Sequence, residues 1–425
     1  MKYWAFWMLT TIALAGVARP TDGAFVPHRA TILASSARVI VPWQKPRGLS
    51  GWSRQAEVSR RDESSSDVPN STSFQDCPVV TTQQRTLDLS SPREWLEHQH
   101  ADGAYTVIRC DYHYQLPHQE TAGDNWKIWG LNFHLGRLND SLTSHAATER
   151  VSLHAFSLDQ ASQQSEAVIR ELLTQATAAL SITWNPAASE TGLCVVTMIT
   201  VLWYLDDTPE NNRATVRVKA HVCTSGVVTN PATYAPDPVT VTLALPTDFY
   251  ALAHLVNRID SHPEAKLSSW CRQRRPLEEE FKRNGVGEVL LVDLVSDEHG
   301  NDAVNLLEGL TSNLFVVYPD RLLRTAAKGV LHGYARRLVL EYASQVGLTV
   351  DFAPIRLTEA HLWQEVFVTS SVKLIAPVES VLLPVTKDDG TQDFQRIWSR
   401  NAGSNPRCVW HEIYRLLQET LSDEL

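Results

Sequence analysis

A change of hydrophobic period partway along the chain constrains its fold more than any other feature. From Ser165 to Leu180 apolar residues recur at helical spacing, with Val168, Ile169, Leu172, Leu173 and Ala176 on one face. Three runs rich in Val, Thr and Ile follow: Leu193 to Tyr204, Ala214 to Cys223 and Val239 to Leu245. A helix with one apolar face beside segments that need a sheet calls for mixed α/β layers. Further strands are predicted at Ala104 to Arg109, Glu288 to Leu294 and Leu314 to Tyr318. Helices are predicted to open over Leu131 to Leu142, at about Gly333 to Gln345, and from Val409 to the C-terminus. Pro246, Thr247 and Asp248 break the pattern and set the expected domain boundary.

With 425 residues, 43% of them hydrophobic and 20% charged, the chain can bury the cores of two or three domains. Its net charge of −10 is uneven. Residues 1–61 carry nine Lys/Arg against Asp22 and Glu57, a balance of +7, which leaves −17 on the remainder. An acidic body without a concentrated basic patch argues against a nucleic-acid partner. The six cysteines form no CxxC pair and are read as reduced thiols. Asp111, His113, His118 and Glu120 match no regular helix face and are read as a polar loop, so no metal is assigned.

The N-terminus reads as an address. Lys2 precedes an apolar run from Tyr3 to about Ala18, short for a bilayer span and suited to a signal-peptide core. Gly23-Ala24-Phe25-Val26-Pro27 follows, then a stretch rich in Arg, Ser and Ala up to Arg61. This order resembles the two-part presequence of algae with complex plastids, which implies delivery to the plastid stroma and no membrane in the mature form. Residues 1–61 are thus the expected presequence, 62–78 a polar linker, 79–246 a small N-terminal α/β domain and 247–425 a larger domain. Of the Asn-x-Ser/Thr sites at Asn70 and Asn139, the second lies within a motif expected to face a buried ligand, where a glycan would be destructive.

Five short stretches carry candidate chemistry. Glu308 stands before a glycine turn that leads into an apolar strand. Gly333 opens a helix at Tyr334-Ala335, where free N–H groups and the helix dipole favour an anion. His134-Leu135-Gly136-Arg137-Leu138 supplies an arginine suited to phosphate, and Ser370 and Ser371 offer hydroxyls at a strand end. Lys266 lies after a proline and before a predicted helix.

Taken in order, these stretches resemble the class IV aminotransferases, the pyridoxal-phosphate enzymes of fold type IV that include branched-chain and D-amino-acid aminotransferases and aminodeoxychorismate lyase. Gly103 to Cys110 is similar to the family's opening strand G-x-F-E-G-I-R-C, and His134 to Ser141 to H-x-x-R-L-x-D-S. The resemblance implies a two-domain α/β fold, with a small α/β sandwich domain and a larger pseudo-barrel domain that binds pyridoxal 5'-phosphate. It also implies that Lys266 forms the Schiff base, Glu308 faces the pyridine nitrogen, and Arg137 with Ser370 and Ser371 holds the phosphate. The backbone at Gly333, Tyr334 and Ala335 is expected to cup that phosphate.

Burial beside the cofactor is expected to bring the Lys266 amine from about 10.4 toward neutrality, so that it exchanges protons. Trp270-Cys271 stands where the family often has Asn-Tyr, and Ala335 where it often has Thr. Leu193 to Tyr204 lacks the family's Tyr-Ile-Arg-Pro segment, so Arg109 is the candidate for a substrate carboxylate, with Tyr105 lining the pocket. The expected activity is amino transfer between an amino acid and a 2-oxo acid by a homodimer. A lyase of the aminodeoxychorismate type is the runner-up, and a non-catalytic member that only holds the fold or cofactor is the third reading.

Overall fold

The computed structural model describes residues 91–113, 126–151, 153, 155–183, 194–206, 215–229, 236–245, 262–283, 285–296, 302–387, 389–400 and 408–422, all within one compact unit, Gln75–Leu425. The presequence, the linker, Asn70, His118, Glu120 and the Pro246 to Asp248 break lie outside these residues.

The first layer pair comprises α1 (Pro92–Glu97), β1 (Gly103–His113), β2 (Trp126–Ile128), α2 (Leu131–Thr148), α3 (Ala155–Thr183), β3 (Cys194–Asp206) and β4 (Thr215–Thr229). The strands form an antiparallel sheet in the order β2-β1-β3-β4. Strand alternation decides what each residue of β1 does. Ala104, Ile108, Cys110 and Tyr112 pack with Leu138 and Leu142 of α2 and Ile169, Leu172 and Leu173 of α3. Tyr105 and Val107 point the other way, into a cluster with Trp95, Leu96, Leu202 and Cys271. Gly103 is required where β1 meets β3, because a Cβ there falls 2.0 Å from the Trp203 carbonyl oxygen. Helix α3 starts ten residues before the predicted Ser165, since Leu158 and Ala161 extend the same apolar stripe.

The second part comprises β5 (Val239–Leu243), α4 (Ser269–Gln273), α5 (Arg275–Phe281), β6 (Val286–Ser296), β7 (Asp302–Gly309), β8 (Asn313–Tyr318), β9 (Leu322–Arg324), α6 (Tyr334–Tyr342), β10 (Thr349–Asp351), β11 (Ile355–Arg356), β12 (Glu365–Ser370), β13 (Leu374–Thr386), β14 (Gln392–Ser399) and α7 (Val409–Ser422). Pairing of β7 with β8 closes a ring in the order β8-β12-β13-β5-β6-β7, the barrel-like sheet of a fold type IV enzyme. Leu314 and Val316 fill its interior with Val241, Leu290, Val366 and Ala376. Phe315 and Val317 face outward against Leu338 and Val339 of α6 and Ile413 and Leu417 of α7. Both faces of β8 are covered, which is why it reads as an unbroken apolar run.

One boundary differs from the sequence expectation. β5, assigned to the small domain by the break at Pro246, runs parallel to β13 and β6 inside the ring. The division between the sheets therefore falls between Thr229 and Val239. The polar stretch Ser296 to Asn305 joins β6 to β7 as a hairpin, its tip lying outside the described residues.

Candidate active site

Lys266 has no strand of its own and is fixed by its neighbours. Its carbonyl accepts from the Tyr105 N–H at 2.9 Å, and its N–H donates to Ser141 Oγ of α2 at 3.0 Å. Leu267 forms an isolated antiparallel bridge with Ala104, and Ser268 N–H donates to the Gly103 carbonyl. The lysine is thus stitched across the start of β1, with Nζ 4.7 Å from the centre of the Tyr105 ring. Burial pushes the Tyr105 phenol up, so it stays protonated and can donate.

Arg137 shares one face of α2 with His134 and Ser141, at spacings of three and four residues. Its Nη2 donates to Thr106 Oγ1 at 2.6 Å, and that hydroxyl lies 2.6 Å from His134 Nδ1. Burial, reinforced by Arg137, holds His134 well below the usual histidine range, so the ring is neutral and Nδ1 accepts. Burial also draws Arg137 down to about 10, and it still carries its charge at neutral pH. Arg137 forms no ion pair among the described residues, and its Nε is buried without a hydrogen-bond partner. A buried cation in that condition is costly until an anion arrives.

Glu308, 3% exposed, ends β7. Its Oε2 accepts from Asn313 Nδ2 at 3.1 Å and from Leu331 N–H at 3.0 Å. Asn313 Nδ2 also donates to the Leu331 carbonyl at 2.6 Å, and a Cβ on Gly333 would lie 2.4 Å from Asn313 Oδ1. The glycine is needed for that close approach. Gly333 is the N-cap of α6, and no described side chain caps this helix start. Glu288 underlies the following turn: its Oε2 accepts from Ser312 Oγ at 2.9 Å and from Thr311 N–H at 3.3 Å.

These elements enclose a cavity of about 300 Å³ whose wall includes Tyr105, Arg137, Lys266, Glu308, Gly333, Ser370 and Ser371. Three of the predicted residues are not on that wall. Tyr334 is buried against Phe133 and His134, over Gly130, whose φ of 63° and lack of a Cβ admit the ring. Ala335 is buried within the start of α6.

Arg109 corrects the sequence expectation of a substrate contact. Its Nε donates to Asp111 Oδ1 at 2.8 Å and its Nη1 to the Val372 carbonyl at 2.8 Å, so the guanidinium is spent on holding the turn that carries Ser371. Asp111 also accepts from Trp129 Nε1, which gives this acid a structural partner in place of a metal.

Sequence reasoning missed Thr106, Asn313, Glu288 and Arg274, all of which touch the cavity wall or the groups that hold it. Only Asn313 had a visible signal, as the last residue of the Glu308 to Asn313 motif.

The chain matches the family described as amino-transferase class IV over residues 121–381. Among solved structures it is similar to the branched-chain amino acid aminotransferase of the bacterium abbreviated T.th., complexed with N-(5'-phosphopyridoxyl)-L-glutamate. Identity there is 17%, covering 78% of this chain and 88% of that one, with a TM-score of 0.50. The same enzyme with pyridoxamine 5'-phosphate also has 17% identity and a TM-score of 0.50, covering 77% of this chain and 87% of that one. These two likenesses concern the fold. No curated protein matches the sequence.

Proposed function

Because the chain belongs to the class IV aminotransferase family, whose members depend on pyridoxal 5'-phosphate, we propose that it moves an amino group between an amino acid and a 2-oxo acid with Lys266 as the amine that carries the cofactor. The observation that supports this most directly is one cavity wall bearing a lysine amine, a buried carboxylate and a buried arginine lacking an acid partner.

The residues fit the cofactor on chemical grounds. Arg137, with its buried unpartnered Nε, is the cation for a phosphate, supported by Ser371 and the open start of α6 at Gly333. Glu308, fixed by Asn313 and Leu331, is the anion for a protonated ring nitrogen. When bound, the cofactor supplies an electron sink that makes the substrate's α-proton acidic. Lys266 Nζ takes that proton and later returns it, while Tyr105 keeps its protonated phenol beside the amine. Cys271, buried where the family often has a tyrosine, and Ala335 leave fewer hydroxyls around the cofactor. A homodimer belongs to the same reading.

The reading is tested by loading purified protein with pyridoxal phosphate and pairing a panel of amino donors with 2-oxo acids. A visible absorption band that bleaches on adding donor, amino transfer to an acceptor, and a dimeric mass by light scattering are expected. Cofactor uptake with no amino group moved contradicts it.

Arg137→Gln separates binding from folding. Without the cation, the dissociation constant for pyridoxal phosphate rises roughly 10- to 100-fold in equilibrium dialysis, the worth of charge-assisted hydrogen bonds. The melting temperature of the cofactor-free variant stays level or rises. The folded-state pKa lies below the unfolded one, so the charged guanidinium opposes folding at every pH below about 10, and removing it relieves that cost. Equal losses with and without cofactor would show a structural role instead.

A further inference from the structure

The same cavity holds a second buried cation that the phosphate does not use. Arg274, 7% exposed, follows α4 and lines the wall with Tyr105 and Cys271. Its Nε lies 3.3 Å from Glu278 Oε1 in a geometry that makes no hydrogen bond, and that nitrogen is buried without a hydrogen-bond partner. The other oxygen of Glu278 is taken by Arg93 Nη1 of α1. One carboxylate therefore serves two guanidinium groups, and this end of the cavity keeps a net positive charge.

The charged residues of the wall repeat the imbalance: Arg93, Arg137, Lys266, Arg274 and Lys373 stand against Glu308. In the reading above, the cofactor phosphate answers Arg137, and Lys266 loses its charge on taking the cofactor. Neither answers Arg274. Beside it lies the apolar cluster of Leu96, Leu202 and Tyr105, with Val107 packed against it, a surface suited to a short carbon chain. A ligand with a carboxylate on a short apolar stem matches both features.

Resting on the aminotransferase reading, we propose that Arg274 is a specificity residue that binds a carboxylate of the substrate. That carboxylate is either the α-carboxylate common to all amino acids or the second one of a dicarboxylic amino acid and its 2-oxo acid.

The test uses cofactor-loaded wild type, Arg274→Gln and Arg274→Lys, with glutarate and its monocarboxylate counterpart valerate as probes titrated by calorimetry. Cofactor load is measured first from the visible spectrum and is expected to be equal in all three, since Arg274 is assigned to substrate. Arg274→Gln is expected to weaken glutarate binding roughly 10- to 100-fold, and Arg274→Lys, which keeps the charge without the planar fork, roughly tenfold or less. Equal weakening of valerate identifies the α-carboxylate, and weakening of glutarate alone identifies the second carboxylate; both support the proposal. Unchanged binding of both acids overturns it, and if the glutamine variant fails to fold, unchanged binding by the lysine variant does the same. Wild type that takes up no cofactor is a failure of the aminotransferase reading alone, because glutarate binding to the cofactor-free variants still answers for Arg274.

Discussion

Lys266→Ala is expected to lower amino transfer by roughly 10³-fold or more, because it removes both the covalent handle and the base that moves the proton. The fold should survive. The lysine backbone, through Tyr105 and Ser141, makes the structural contacts, and alanine keeps every one of them. Unchanged circular dichroism and melting temperature, with loss of the visible absorption shift on adding donor, would separate a chemical defect from a packing defect. A small added amine such as methylamine should restore part of the rate by standing in for Nζ. A variant that keeps within tenfold of wild-type activity would remove Lys266 from the chemistry.

Glu308→Gln is the second large effect. Glutamine is nearly isosteric, and its carbonyl can still accept from Asn313 Nδ2 and Leu331 N–H, so cofactor load is expected to change little. The negative charge opposite the ring nitrogen is gone, and with it the reason for that nitrogen to keep its proton. The fall in kcat is expected to be roughly 10²- to 10³-fold, the range for removing one preorganised electrostatic group from a buried site. A fall confined to cofactor affinity, with kcat intact in the loaded variant, would assign Glu308 to binding and not to proton control.

Much of the frame was legible because it follows from local period. The stripe Val168, Ile169, Leu172, Leu173 and Ala176 could serve only as one face of a helix, and it packs on the sheet as α3. Arg137 and Ser141 stand four apart on α2, so a single helix face carries both the guanidinium and the acceptor that fixes Lys266. The two unlike faces of β1 follow from alternation alone.

The rest depends on partners distant in sequence. β5, Val-Thr-Val-Thr-Leu, has the same local character whichever sheet it joins, and only its pairing with β6 and β13 assigns it to the barrel. Arg109 looked available to a substrate, yet Asp111 sits two residues on along the same strand face and captures it, a signal present in the sequence and easily overlooked. Arg274 and Glu278, one helical turn apart, read as an ordinary surface pair. That they border a cavity, with Arg93 drawn onto the same acid from 185 residues earlier, is a property of the folded chain alone.

The central claim is that Lys266 is the amine joined to pyridoxal phosphate. Borohydride reduction of the cofactor-saturated protein, which fixes any lysine–cofactor link as a stable amine, followed by proteolysis and mass mapping, tests it directly. The account predicts one phosphopyridoxyl group per chain on the peptide containing Lys266. A saturated protein with the label on another lysine, or with Lys266 unmodified, would contradict it.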